Sequence, residues 1–466
     1  MEKVLFLTGR LAEASLRRVL SGLSPNSFEW EIMEIGLQVA ALMTTDMIGR
    51  RIKKEHVGFD RIIVPGRCRG DLEKLSKELG VPVVKGPEEL KDLPKFFNAK
   101  PMVSDLSKFD ILIFAEIVDA TQLSVEDILK KAEKFRSFGA NVIDLGCLPA
   151  TEFDHLEDAV MALKEEKFLV SVDSLNSKEL IRGGLAGADY LLSLTPQNLW
   201  VANEVDSVPI LIPSDPENEE SLFKSVELLM RQGRKFFADS ILDPIPFGCL
   251  KSLCRFQRLR DMFPSIDIMV GVGNITELMD TDTNGVNSLL VGLCTELNVS
   301  AVLTTQVGDH ARRAIKEIDI ARKVMFASRT QQTLPKNLNS ELLTIHEKKP
   351  FLDSEKEIKT IAKSVKDPNF RIQINEKGLY VYNRDGLRFA TDPFSFYENL
   401  GLENDSSHAF YMGVELARAE VAWRLGKRYS QDKGLEWGVA ADTREENYLT
   451  HSMPKIKRKI RNLKKR

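Results

Sequence analysis

Four aspartates stand at the ends of separate apolar runs: Asp119, Asp144, Asp173 and Asp243. Carboxylates brought into one cavity repel one another and lose hydration, so they need cations or several N–H donors as partners. Two kinds of ligand meet that need. One is a divalent metal such as Mg²⁺ with a phosphorylated substrate. The other is a flat heterocycle whose amino-pyrimidinone edge offers paired N–H donors to a carboxylate, as a pterin does. No histidine falls at a run end, which argues against zinc. Other polar residues share these positions: Glu116, Ser193, Thr195, Asp239, Asn274, Thr304, Thr305 and Gln306, with His310 just beyond. Each has a plainer reading. Asp144 and Asp173 would also serve as helix caps, His310 as a surface residue, and Cys147 and Cys294 as core packing.

The elements that must position these groups are legible as a repeat. Eight apolar runs occupy Ile111–Ala120, Asn141–Cys147, Phe168–Ser174, Tyr190–Pro196, Val208–Ser214, Phe237–Pro244, Asp267–Asn274 and Ala301–Val307. They alternate little, as strands buried on both faces should. Helical patterns follow at Ser124–Phe138, Glu217–Gln232, Thr283–Leu297 and Gly308–Phe326. Eight β–α units over about 220 residues predict a (β/α)8 TIM barrel across 105–330, with its active site at the C-terminal ends of the strands. The fold class is thus α/β.

Two further segments flank the barrel, in line with about three domains for 466 residues. Residues 1–100 alternate strands (Val4–Thr8, Trp30–Ile35, Arg61–Pro65, Val81–Lys85) with helices, predicting a small parallel α/β domain. Its Pro65–Gly70 turn carries Arg67 and Arg69 and reads as a plain turn or an anion site. Residues 335–466 predict an α+β module: a meander over Phe370–Ile374, Leu379–Asn383 and Leu387–Thr391, then a helix over Ser407–Arg428 capped by Ser407.

Composition narrows the function classes. The net charge is −3, yet residues 455–466 hold eight Lys or Arg and no acid, so the remaining body is distinctly acidic. That argues against a general nucleic-acid binder. The tail reads as a solvated terminus or a contact for RNA or an acidic partner. Five scattered cysteines without a CxxC fit a reduced protein. Met1–Gly9 reads as a strand and turn rather than a leader, and no apolar run is long enough for a membrane span, so a cytoplasmic location is expected.

Several stretches resemble the pterin-binding family, which includes dihydropteroate synthases and methyltetrahydrofolate-dependent corrinoid methyltransferases. Gly139-Ala140-Asn141-Val142-Ile143-Asp144-Leu145-Gly146 resembles the second-strand motif, and Ser171-Val172-Asp173-Ser174 the third. Ile241-Leu242-Asp243-Pro244 resembles the sixth, and Gly271-Val272-Gly273-Asn274-Ile275-Thr276 the strand-seven loop of the methyltransferase branch. The likeness spans roughly half the chain. It implies that Asp243 accepts the pterin's paired N–H edge, that Asp173 contacts the ring, and that Asn274 hydrogen-bonds near the reactive N5. Asp144 would orient neighbouring groups, so Asn274 and Asp144 carry the catalytic roles. Asp119 falls where the synthases carry an Asn.

Departures accompany the likeness. Asn274-Ile275-Thr276-Glu277 replaces the synthases' Ser-Arg-Lys, and the strand-eight Arg-x-His is only echoed by His310, Arg312 and Arg313. The whole layout resembles archaeal-type proteins related to dihydropteroate synthase, which implies folate or tetrahydromethanopterin metabolism. His408–Leu416 with Tyr429–Asp432 resembles an uncharacterised domain found beside such barrels. The expected activities are a synthase-like transfer with a reduced pterin and Mg²⁺, methyl transfer from N5 to a corrinoid or thiol, or pterin binding without turnover. Metal-dependent aldolase or phosphatase chemistry is a further alternative. No Asp-x-His-x-x-Gly motif occurs, so a corrinoid would sit on a partner protein. Barrels of this kind often form homodimers.

Overall fold

The computed structural model describes residues 2–23, 28–52, 58–97, 105–149 and 151–442, so the basic segment 455–466 lies outside the described residues. The chain forms two compact units, 1–339 and 340–466.

The first unit opens with β1 (Lys3–Thr8), α1 (Arg10–Ser21), β2 (Glu29–Glu34), α2 (Thr45–Arg51), β3 (Arg61–Val64), α3 (Leu72–Leu79), β4 (Val83–Lys85) and a short α4 (Leu93–Phe96). The four strands are parallel, in the order β2-β1-β3-β4. Buried residues pack on both of its sides, Leu5, Leu7, Ile62 and Val64 in one cluster and Val4, Phe6 and Ile63 in the other. That explains the unbroken apolar runs.

A closed parallel barrel follows, confirming the predicted architecture. Its strands are β5 (Leu112–Ile117), β6 (Val142–Gly146), β7 (Leu169–Asp173), β8 (Tyr190–Leu194), β9 (Val208–Leu211), β10 (Phe237–Ala238), β11 (Asp267–Gly271) and β12 (Ala301–Thr305). The outer helices are α5 (Val125–Ser137), α6 (Leu156–Glu165), α7 (Ser177–Leu185), α8 (Glu219–Arg231), α9 (Cys249–Met262), α10 (Gly273–Thr276), α11 (Thr283–Glu296) and α12 (Ala314–Thr330). After β8 the helix is replaced by a 3-10 turn, Leu199–Asn203.

The apolar plug of the barrel takes Phe114, Val142, Leu192, Ile210, Phe237, Met269 and Ala301 from seven different strands. Phe114 meets Tyr190 edge-on at 4.9 Å. Side chains alternate along a strand. Glu116 and Asp144 therefore stand directly above Phe114 and Val142, at the C-terminal rim, and pair in register with each other. At the opposite end Arg322 of α12 is 2% exposed. It donates to Ile111 O at 2.6 Å, Gly139 O at 2.9 Å and Asp319 Oδ1 at 2.7 Å, and its guanidinium lies over Phe109. Gly139, at φ 106°, permits this approach, because a Cβ there would sit 2.4 Å from Asp319.

The second unit contains α13 (Glu355–Ser364), an antiparallel meander of β13 (Arg371–Asn375), β14 (Gly378–Asn383) and β15 (Gly386–Ala390), and α14 (Ser406–Leu425). The meander was anticipated. The cap was not: Asp405 rather than Ser407 caps α14, its carboxylate accepting from His408 N at 3.1 Å. No helix among the described residues is long and apolar enough to cross a membrane.

Candidate functional site

The rim of the barrel brings three carboxyl groups together, but not the set the sequence suggested. Glu116, Asp144 and Asp173 each place one oxygen within 4.8 Å of the others. Asp144 is wholly buried. Its Oδ1 accepts a short hydrogen bond from Ser171 Oγ, and its Oδ2 has no partner among the described residues. Asp173 Oδ1 accepts from Ser193 Oγ at 2.5 Å. The β8–β9 pairing is irregular between Leu191 and Leu194, and Ser193 adopts φ 62°. That conformation is uncommon for a residue with a Cβ and is often found at functional positions.

Asp239, just past the two-residue strand β10, adds a fourth carboxyl, buried like Asp144, whereas Glu116 and Asp173 are half-buried. Its Oδ1 accepts from Ile241 N at 2.7 Å. Ile241 sits at φ 61°, a genuine outlier for a β-branched residue. The run 237–244 thus leaves the sheet early and folds into a strained turn around Asp239.

Electrostatics follow from burial. Desolvation, then the charge of Asp173, pushes Glu116 up to about 7. Desolvation raises Asp144 well above the usual carboxylate range, reinforced by Asp173 and Glu116 against the Ser171 bond. Asp173 is raised by burial, partly offset by Ser193. Burial takes Asp239 to about 7 despite the Ile241 N–H and Arg255. The mouth therefore holds carboxyl groups that exchange protons near neutrality.

Asp243 behaves oppositely. Burial works to raise its pKa, but hydrogen bonds from Arg255 and Ser252, with the charges of Arg255 and Lys251, outweigh it and hold the group low. Arg255 Nη2 lies 2.7 Å and Ser252 Oγ 2.9 Å from Oδ2. Asn274 lies at α10, its Nδ2 donating to Leu242 O at 2.9 Å, which ties the strand-seven loop to the Asp243 segment. Thr305 Oγ1 donates to Glu116 O at 3.1 Å, and both amide atoms of Gln306 are buried without a partner among the described residues.

Two expectations are corrected. Asp119 lies beyond the end of β5, half-exposed, with Lys131 Nζ of α5 at 2.7 Å; the carboxylate that β5 contributes is Glu116. The four aspartates also do not form one cluster: Asp243 is paired with Arg255, outside the trio. The helix-cap alternative fails as well, since His155 and Asn176 occupy the N-cap positions of α6 and α7. His310 is partly exposed, its Nε2 3.0 Å from Thr276 O. Burial, joined by neighbouring acids, raises the Cys147 thiol steeply, and burial takes Cys294 to about 12, so both stay protonated.

Glu116 and Asp239 stood among the polar residues at the run ends without being singled out. An acid in or just past an otherwise apolar strand, in phase with inward residues, must face a ligand or a partner. Reading each whole run as strand hid that phase.

Residues 2–88 match the model of a family described as of unknown function, DUF6513. An uncharacterized protein of Methanocaldococcus jannaschii is 28% identical over 93% of this chain and 99% of its own. Among solved structures, the dihydropteroate synthase of Yersinia pestis is similar at 16% identity, covering 48% of this chain and 95% of its own, with a TM-score of 0.37. The 7,8-dihydropteroate synthase of Vibrio fischeri is similar at 14% identity over 48% and 95%, with a TM-score of 0.38.

Proposed function

We propose that the barrel mouth binds a reduced pterin and that the protein is a pterin-dependent transferase, in folate or tetrahydromethanopterin metabolism of the archaeal type. The observation that carries this reading is the row of buried and half-buried carboxyl groups at neighbouring strand ends. Two of them, Asp144 and Asp173, sit on the very motifs that resemble pterin-binding barrels. A pterin edge supplies the N–H donors such a row lacks.

Roles follow from protonation. Arg255 keeps Asp243 ionised, which suits it to accept the paired N–H edge. Asp173 faces the ring from β7. Glu116 and Asp239, near neutrality, are suited to move a proton to or from the pterin. Asn274 uses one N–H on Leu242 and has a second for N5. Asp144 holds the inner end of the pocket. In a synthase-like step Mg²⁺ would supply charge neutralisation for a diphosphate leaving group.

The Gly271–Thr276 loop favours a second version, in which a methyl group leaves N5 for a thiol or for a corrinoid carried by a partner protein. Stabilising the departing amine then falls to Asn274. Two assays separate the versions. Pyrophosphate release from a hydroxymethylpterin diphosphate with an arylamine selects the synthase. Methyl loss from a methylated reduced pterin, with a cobalt protein added, selects the methyltransferase. Pterin binding without turnover in either assay leaves a binding module. A cytoplasmic homodimer is the proposed assembly, tested by sedimentation of the full chain.

A further inference from the structure

The carboxyl trio has a feature that pterin binding does not require. Asp144 is fully buried, one of its oxygens is satisfied by Ser171, and the other meets no donor among the described residues. An orphaned carboxylate oxygen at that depth is costly unless a cation or a proton meets it. The charged neighbours that act on it are Glu116 and Asp173, which are also acids, and among the described residues no lysine, arginine or histidine acts on the three. Nor is the crowding a by-product of tight packing. Gly146 leaves the space the cluster needs: a Cβ there would lie 2.9 Å from Glu116 Oε1.

The geometry suits a metal. A point shared by three oxygens no more than 4.8 Å apart lies within about 2.8 Å of each, so small side-chain movements reach the 2.0–2.6 Å or so of hard divalent ions. The three donors are all carboxylate oxygens, the set that selects Mg²⁺, Mn²⁺ or Ca²⁺ over zinc or copper.

We propose that Glu116, Asp144 and Asp173 bind one hard divalent cation at the inner end of the barrel mouth. Each residue supplies one carboxylate oxygen, and the remaining coordination positions face the open side of the mouth, where water or an oxygen of a bound molecule completes them. The ion satisfies Asp144 Oδ2 and offsets the mutual repulsion of the trio. This site stands on the trio alone and holds whether or not the mouth takes a pterin.

The test is a Mn²⁺ titration of chelator-stripped full-length protein, followed by electron paramagnetic resonance of the free ion. One Mn²⁺ per chain is expected, displaced by Mg²⁺ or Ca²⁺. Glu116→Gln, Asp144→Asn and Asp173→Asn should each weaken binding at least tenfold, and Asp119→Asn should not. Absence of binding at millimolar Mn²⁺, or equal binding by all three variants, overturns the proposal. Should a variant fail to give the wild-type circular dichroism spectrum, the wild-type thermal midpoint decides: it must rise with Mn²⁺, and no rise overturns the site. A pterin titration in chelator separates the two readings, since pterin binding with no Mn²⁺ binding sinks this one alone.

Discussion

Replacing Glu116 by Gln should stabilise the metal-free protein above neutral pH. Burial and the neighbouring Asp173 raise this carboxyl from 4.5 to about 7 in the folded state. Between those values the native state holds a proton that the unfolded chain has released. Stability therefore falls as pH rises through this window and levels off above it. The gap corresponds to about 3 kcal/mol at pH 8. Gln has the same shape and no charge to desolvate, so its curve lacks this decline. For a unit spanning Met1–Asn339 the difference amounts to about 4 °C in Tm. Thermal unfolding followed by circular dichroism in chelator, at pH 4.5 and pH 8, checks it. The two proteins should nearly coincide at the lower pH and diverge at the higher. A Gln variant no more stable than wild type at pH 8 would refute the argument that Glu116 is buried among acids without a cationic partner. Saturating Mn²⁺ should reverse the order, because only the wild type retains all three ligands.

Three other substitutions probe the surroundings. Gly146→Ala pushes a methyl group against Glu116 Oε1 and the backbone of Ile117 and Val118, and should cost roughly 1–3 kcal/mol in urea unfolding. Asp243→Asn removes the counter-charge of Arg255, which is 3% exposed, and should destabilise by roughly 2–3 kcal/mol while also weakening pterin binding. Arg322→Met strips the donors that hold Asp319, Ile111 O and Gly139 O at the far end of the barrel. It should cost roughly 3–5 kcal/mol in urea unfolding and leave pterin affinity at the rim unchanged under native conditions.

The barrel was legible because strands buried on both faces leave long apolar runs, and eight of them with helices between admit few architectures. The ends of those runs were less legible. β5 stops at Ile117, so the run to Ala120 carried the reading past Glu116 to Asp119, whose carboxylate turns outward to Lys131. β10 keeps only Phe237 and Ala238 as strand, because Asp239 folds the chain back through Ile241. Local pattern does not encode that turn. Arg255 and Arg322 were invisible for another reason. Arg322 is buried by partners distant in sequence, Asn141 lying 181 residues away; Arg255 is buried by the irregular turn Ser240–Asp243, whose path local pattern does not encode.

Pterin binding at the barrel rim is tested most directly by a fluorescence titration of the full-length protein with a hydroxymethyl dihydropterin. Saturable binding is expected in the wild type and in Asp119→Asn, and a loss of roughly 2–4 kcal/mol in Asp173→Asn. A pterin that does not bind, or that binds Asp173→Asn as well as wild type, contradicts it.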